Sequence, residues 1–231
     1  MKRELLLLPL LLLAGCSGGG SSPPPDPAAE LRQSAAAMSK VQTVSADVKF
    51  GAGLVYQGFT LDSASSKIKL PSASDTLIKV KQQDFLVDLE VITVDGHVYF
   101  KAPFSKFVEI SPDEAAALPD LAALLDAQKG LPAVMAAGRA PKLEGTEKVG
   151  GVDCDRISTT YTADQVGQVL GGGLKPSGDI AATLWVGQSD HLLRRVKLSG
   201  PLVSSSSSSS ADVTLHDFNA PLTITAPTPP A

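Results

Sequence analysis

Three histidines, two cysteines and a few close carboxylate pairs are the residues of this 231-residue chain whose types could do chemistry. Hydrolysis needs a nucleophile beside a base and an orienting acid, and no G-x-S-x-G elbow, H-E-x-x-H pair or P-loop spacing occurs. His97 follows a tight turn, His191 follows Gln188-Ser189-Asp190, and His216 alternates outward with Asp212 and Thr214 on a strand pattern. Each reads as a surface histidine rather than a base. Asp113 and Glu114 sit where a helix N-terminus favours negative charge. Asp88 with Glu90, and Asp153 with Asp155, lie one residue apart across a strand position and need no catalytic role. Gly171-Gly172-Gly173-Leu174-Lys175 ends a helical pattern instead of starting one, so it reads as a loop and not a phosphate cradle. Cys154 lies between two carboxylates that would raise a thiol's pKa, which marks it as buried and inert. The residues predict no enzyme, no metal ligands and no cofactor.

Cys16 is different, because its surroundings describe a processing site. Met-Lys-Arg-Glu precedes LLLLPLLLLAG, an apolar run too short to span a bilayer, which needs about 20 residues. Leu13-Ala14-Gly15-Cys16 resembles a bacterial lipobox, whose cysteine receives a diacylglyceryl group before cleavage on its N-terminal side. The chain is therefore expected to carry a signal peptide at 1–15 and a lipidated Cys16 that anchors it to the outer face of the plasma membrane. One acyl chain binds marginally and two hold stably. Residues 16–27 then form a tether of Gly, Ser and Pro, reaching at most roughly 35 Å, with a folded domain at 28–225 and a Pro-rich disordered tail at 226–231. With Cys16 acylated, Cys154 has no disulfide partner within the chain. A formal charge of −4, with no basic block and only 5% aromatic residues, removes the electrostatic and stacking basis for nucleic-acid binding.

The elements between these ends follow from periodicity. Leu31, Ala35, Met38 and Val41 mark one face of a first helix over 28–41. From Val44 the period becomes two, with a bend at Gly51 and Gly53, and further strands are predicted at 60–70, 76–82 and 85–94. Asp95-Gly96 predicts a tight hairpin turn into 97–101. Ser111-Pro112-Asp113-Glu114 starts a helical segment to about residue 128, interrupted at Pro119, and a short helix covers 132–137. Strands return at 143–149 and 154–161, Thr162 and Gln165 cap another helix, and strands at 179–186, 192–199 and 210–218 close the domain. The serines at 204–210 read as a solvated hairpin loop. Without βαβ alternation, the pattern favours an α+β fold with a large antiparallel sheet.

Several stretches, in their order, resemble the LppX/LprA/LprF/LprG lipoprotein family. They are Val94 to Lys101 (VDGHVYFK), Gly145 to Ile157 (GTEKVGGVDCDRI), Leu184-Trp185-Val186-Gly187, Leu192 to Pro201 (LLRRVKLSGP) and Phe218 to Ile224 (FNAPLTI). The likeness spans about residues 28–227. It implies a strongly curved antiparallel sheet, a half-barrel of the LolA/LolB type with helices packed on its concave face. It also implies an apolar cavity that binds acylated lipids or lipoglycans and carries them from the plasma membrane towards the outer envelope. The polyserine loop departs from the pattern, and the scarcity of aromatics requires mainly aliphatic walls. The competing function is a structural or adaptor lipoprotein with a filled core and an envelope protein partner.

Taking the apolar parity as inward, the expected cavity wall comprises Val48, Phe50, Leu54 and Tyr56, then Ile68, Leu70, Ile78 and Val80. Phe85, Val87, Leu89 and Val91 follow, with Val98 and Phe100 beyond the hairpin. Leu121, Leu124, Leu125, Val134 and Met135 form the opposing helical wall.

Overall fold

Alternation from Val44 onward produces a sheet with one apolar and one polar face, and the chain folds it into a single open layer. The computed structural model describes residues 25–228 apart from 52–53, 57, 84, 117, 119–120, 122, 171–175 and 204–207. The leader, Cys16, most of the tether, the glycine run at 171–173 and much of the polyserine stretch thus lie outside the described residues. Among the described residues twelve strands are seen: β1 (Thr43–Phe50), β2 (Val55–Tyr56), β3 (Phe59–Lys69), β4 (Ala73–Gln82), β5 (Phe85–Val94), β6 (His97–Lys101), β7 (Val108–Glu109), β8 (Arg139–Val149), β9 (Val152–Thr162), β10 (Asp179–Gly187), β11 (Leu193–Gly200) and β12 (Ser209–His216). Their order is β7-β6-β5-β4-β3-β1-β12-β11-β10-β9-β8, with β2 paired to β3. Every pairing is antiparallel, so two meanders meet at β1, which lies between β3 and β12.

Local chemistry sets the helices and turns. Asp26 caps α1 (Pro27–Met38), accepting from the Ala28 N–H at 3.0 Å, and Pro27 occupies the first helical position. Ser111 and Glu114 form the expected reciprocal capping box, yet α2 (Pro112–Ala115) is one turn long, followed by a 3₁₀ turn at Ala123–Leu125 and α3 (Leu131–Ala136). The predicted long helix is corrected to these short pieces: Pro119 cannot donate into a helical ladder. Thr162 and Gln165 cap α4 (Ala163–Leu170) as the spacing predicts. Asp95 and Gly96 take φ of 52° and 83°, the left-handed pair that a tight hairpin requires. β1 ends at Phe50, next to the expected bend at Gly51, and the strand pattern resumes in β2. A Cβ on Gly51 would stand 2.3 Å from the Ser210 Oγ, and the Gly51 N–H donates to the Ser210 carbonyl at 2.7 Å.

The C-terminal segment locks the centre of the sheet. Asn219 accepts from the Gln42 N–H at 2.8 Å and donates its own N–H to the Thr43 carbonyl at 2.8 Å, while the Thr43 hydroxyl donates to the Ala220 carbonyl at 2.7 Å. Among the described residues, the core side chains fall between Leu31 and Phe218, so residues 25–231 keep all of them.

Cys154 is fully buried on β9, and burial pushes its thiol above the ordinary range. Because the thiolate is the reactive form, Cys154 is expected to react negligibly with Ellman's reagent at pH 8 in the native protein and fully in denaturant. Rapid native labelling would contradict this placement.

Candidate functional site

Strand register decides which side chains share the concave face. Val44, Ala46 and Val48 of β1 stand opposite Ile68, Ser66 and Ala64 of β3, and the row continues through Ser74, Thr76 and Ile78 of β4. Opposite these lie Thr93, Val91 and Leu89 of β5, while Val87 faces Val80, and Val98 and Phe100 of β6 face Thr93 and Val91. On the other side of β1, Leu215, Val213, Val196, Leu198, Leu184, Ala182, Ile157 and Leu143 complete the same face through β12, β11, β10, β9 and β8.

The helices cover this face unevenly. α1 packs on α3, β8 and β10, and α4 packs on β9 and β10. Leu31 and Met38 of α1 are buried there, and His191 on the β10–β11 turn meets the buried Glu30 carboxylate at 2.8 Å. The Tyr161 hydroxyl donates to the Met135 carbonyl at 3.3 Å, fixing α3 to β9, and burial raises that phenol's pKa. Beneath the helices lies one contiguous core, with Val134, Met135, Leu125, Ile157, Leu184, Ile180 and Leu193 in it. Among the described residues, that core contains no concave-facing side chain of β4, β5 or β6. Val80 and Leu89 are buried outside that cluster, while Ile78, Val87, Val91, Val98 and Phe100 are half-buried. The concave face is thus divided into a packed half and an apolar strip that the core does not fill.

This division sorts the expected wall. Val80, Leu89, Ile78, Val87, Val91, Val98 and Phe100 are brought together on the strip, and half-buried Val48 borders it on β1. Leu54, Ile68, Leu125, Val134 and Met135 are core, with Phe50, Leu70, Leu121 and Leu124 packed against it. These nine side chains therefore lie in or against the packed core rather than on the strip. Phe85 shares the inward parity but is 72% exposed at the start of β5, so it marks the end of the strip rather than an enclosed wall. The Tyr56 side chain lies outside the described residues. Strand parity also reaches Ser66, Ser74 and Thr76, buried concave hydroxyls missing from the expected wall; Ser66 and Thr76 hydrogen-bond at 2.8 Å. Their position in register with Ala46, Ile68 and Val91 was the available signal.

The outer face carries charged pairs beside a few apolar side chains, Leu77, Ile92 and Trp185 among them. Lys79 meets Asp88 at 3.1 Å and Lys101 meets Glu90 at 3.2 Å. Arg195 clamps Asp212 at 2.8 and 2.6 Å and lies 4.7 Å above the Trp185 ring; its hydrogen bond holds the Asp212 carboxyl below the usual range. A groove of about 260 Å³ is lined by Asp47, Val48, Lys49, Ser63, Ala64, Ser65, Leu77 and Lys79, a set that mixes charged, hydroxyl and aliphatic side chains. His97 and His216 are surface residues, and His216 is held by Asp47 and Asp217 at 3.1 and 2.9 Å. No group of three or more potential metal ligands occurs among the described residues.

Comparison with known proteins adds three findings. The LppX_LprAFG lipoprotein family matches residues 26–224. Two curated relatives are named lipoarabinomannan carrier protein LprG. The one from Mycobacterium leprae is 28% identical over 137 residues, covering 59% of this chain and 55% of the relative. The one from Mycolicibacterium smegmatis is 25% identical over 146 residues, covering 62% and 57%. The chain spans little more than half the length of these relatives. Among solved structures, LprF from Mycobacterium bovis superposes with a TM-score of 0.71 at 21% identity, covering 90% of this chain and 99% of LprF. Mycobacterium tuberculosis LppX gives 0.60 at 20%, covering 86% and 97%. The curved antiparallel half-barrel is therefore the fold these proteins share.

Proposed function

Since the chain belongs to the LppX_LprAFG lipoprotein family, we propose that it is a lipid carrier of the cell envelope. On this reading it is anchored through Cys16 to the outer face of the plasma membrane, binds acylated lipid or lipoglycan along its concave face, and moves it towards the outer envelope. The observation that carries this reading is the apolar strip of β4, β5 and β6. Seven aliphatic and aromatic side chains share one face there without joining the core, and such a surface is stabilised when acyl chains cover it. The names of the LprG relatives as carriers support it. The protein is not an enzyme: its family is one of lipoproteins, and the chemistry of its site is desolvation and shape.

The buried hydroxyls of Ser66, Ser74 and Thr76 lie at the end of the strip away from Phe85. They give it a polar terminus, suited to the ester or glycerol region of a lipid. Native mass spectrometry of residues 25–231, purified without detergent, is expected to show retained acyl lipid, and the protein is expected to move a fluorescent lipid between vesicles. Lipid-free protein from several hosts together with no transfer would overturn the reading in favour of a structural or adaptor lipoprotein. For the anchor, Cys16→Ser in the full chain is expected to abolish acylation, and retention of cleaved, acylated protein would exclude Cys16 as the attachment point.

A further inference from the structure

Among the described residues, five of the six large exposed apolar side chains gather at one end of the sheet; the sixth, Val108, lies opposite Phe100 on β7. Val55, Thr60, Lys81 and Leu86 form one row across β2, β3, β4 and β5, and Tyr56, Phe59, Gln82 and Phe85 form the next row outward. Val55 is 46% exposed, Phe59 37%, Phe85 72% and Leu86 57%. β6 runs antiparallel to β5 with Lys101 opposite Glu90, so the loop after Lys101 advances towards the same end, and it carries Phe104, which is fully exposed. We propose that this end of the half-barrel is a bilayer-docking lip, whose tips enter the interface of a phospholipid membrane and present the strip to it.

Three features favour a bilayer over a lining role alone. First, the lip is apolar on both faces. Phe59 and Phe85 continue the concave parity, whereas Val55 and Leu86 project from the outer face, which two residues further along β5 is already polar at Asp88. A cavity wall needs only its inner side apolar; a lip immersed in lipid needs both. Second, the apolar residues sit on hairpin and loop tips, where a few side chains can enter a membrane without unfolding the sheet. Third, Lys81 lies in the row between Val55 and Leu86, and exposed Lys106 follows Phe104 by two residues. Their long stems can lie along apolar surface while the ammonium groups reach headgroup phosphates. The concave strip runs from Val91 through Leu89 and Val87 to Phe85, so an acyl chain leaving the membrane at the lip meets apolar surface throughout.

The purpose of the lip rests on the carrier reading, but its test does not. Residues 25–231, which lack the anchor, are expected to float with vesicles of phosphatidylcholine and phosphatidylglycerol. Leu86→Ser combined with Phe104→Ser is expected to lower the bound fraction by at least about tenfold, with the thermal midpoint and solution uptake of a fluorescent fatty acid unchanged. Val55→Ser, on a separate strand, gives an independent reading should Leu86→Ser disturb β5. A wild-type protein that stays out of the vesicle fraction, or a double variant that floats as well as wild type, overturns the proposal. So does a solution dimer that the same substitutions dissociate, since the lip would then be a contact between copies. Lip-dependent flotation without fatty-acid uptake would instead defeat the carrier reading and leave the lip standing.

Discussion

Val91→Trp is expected to reduce uptake of a fluorescent acyl probe by at least about tenfold while leaving the fold nearly as stable as before. Val91 is half-buried, faces Thr76 and Phe100 across the concave side, and lies outside the contiguous core. An indole there projects into the space an acyl chain would occupy and displaces no packed neighbour. Leu124→Trp is the contrast, because Leu124 packs against the core. Inserting volume there should cost roughly 1–3 kcal/mol, which for a domain of this size lowers the melting midpoint by roughly 2–12 °C. Calorimetry and probe titration on both variants separate the cases. Val91→Asp serves as a second probe, placing a charge on the strip without added bulk. If Val91→Trp and Val91→Asp both bind the probe as wild type does, the strip is not the binding surface.

Ile157→Ala should show the largest loss of stability. Ile157 is fully buried, paired in register with Leu184 on one side and Leu143 on the other, within the core beneath the helices. Removing the side chain leaves a cavity that the rigid sheet can only partly close, at a cost of roughly 2–5 kcal/mol. That is a large fraction of the roughly 5–15 kcal/mol typical of a folded domain. Urea unfolding should show a lower midpoint with an unchanged slope. Val87→Ala, on the strip, should cost less than about 1.5 kcal/mol, because its side chain already remains partly solvated. Equal losses at the two positions would mean that the concave face is packed uniformly and has no separate strip.

The two variants test the same division of the concave face. α1 begins near the β10–β11 turn, where Glu30 meets His191, whereas the lip lies at the opposite ends of the strands. With the chain before Asp26 leading to the anchor on the carrier reading, the lip stands away from the attachment point. The expected tether, reaching at most roughly 35 Å, is comparable with the roughly 33 Å length of a ten-residue strand such as β5.

Much of this architecture could be read from residue order alone, because the forces that set it are local. Alternation from Val44 to Phe50 and from Phe85 to Val94 dictates which side chains share a face. Asp95-Gly96 dictates a hairpin through its left-handed dihedrals, and Ser111 with Glu114 dictates a helix start. The absence of βαβ alternation set the antiparallel class, and the order of stretches such as Gly145 to Ile157 and Phe218 to Ile224 carried the family resemblance. What alternation cannot encode is what lies opposite a face. Ile68, Val134 and Met135 became core, and Val91, Val98 and Phe100 a half-buried strip, because among the described residues α1 and α4 pack over β8, β9 and β10 while the core does not extend to β4, β5 and β6. Phe85 has the parity of a wall residue and the exposure of a tip because β5 ends there, level with the β2–β3 hairpin. These outcomes depend on contacts between segments a hundred residues apart, and an apolar side chain has the same signature in sequence whether its partner is a helix, a lipid or a membrane.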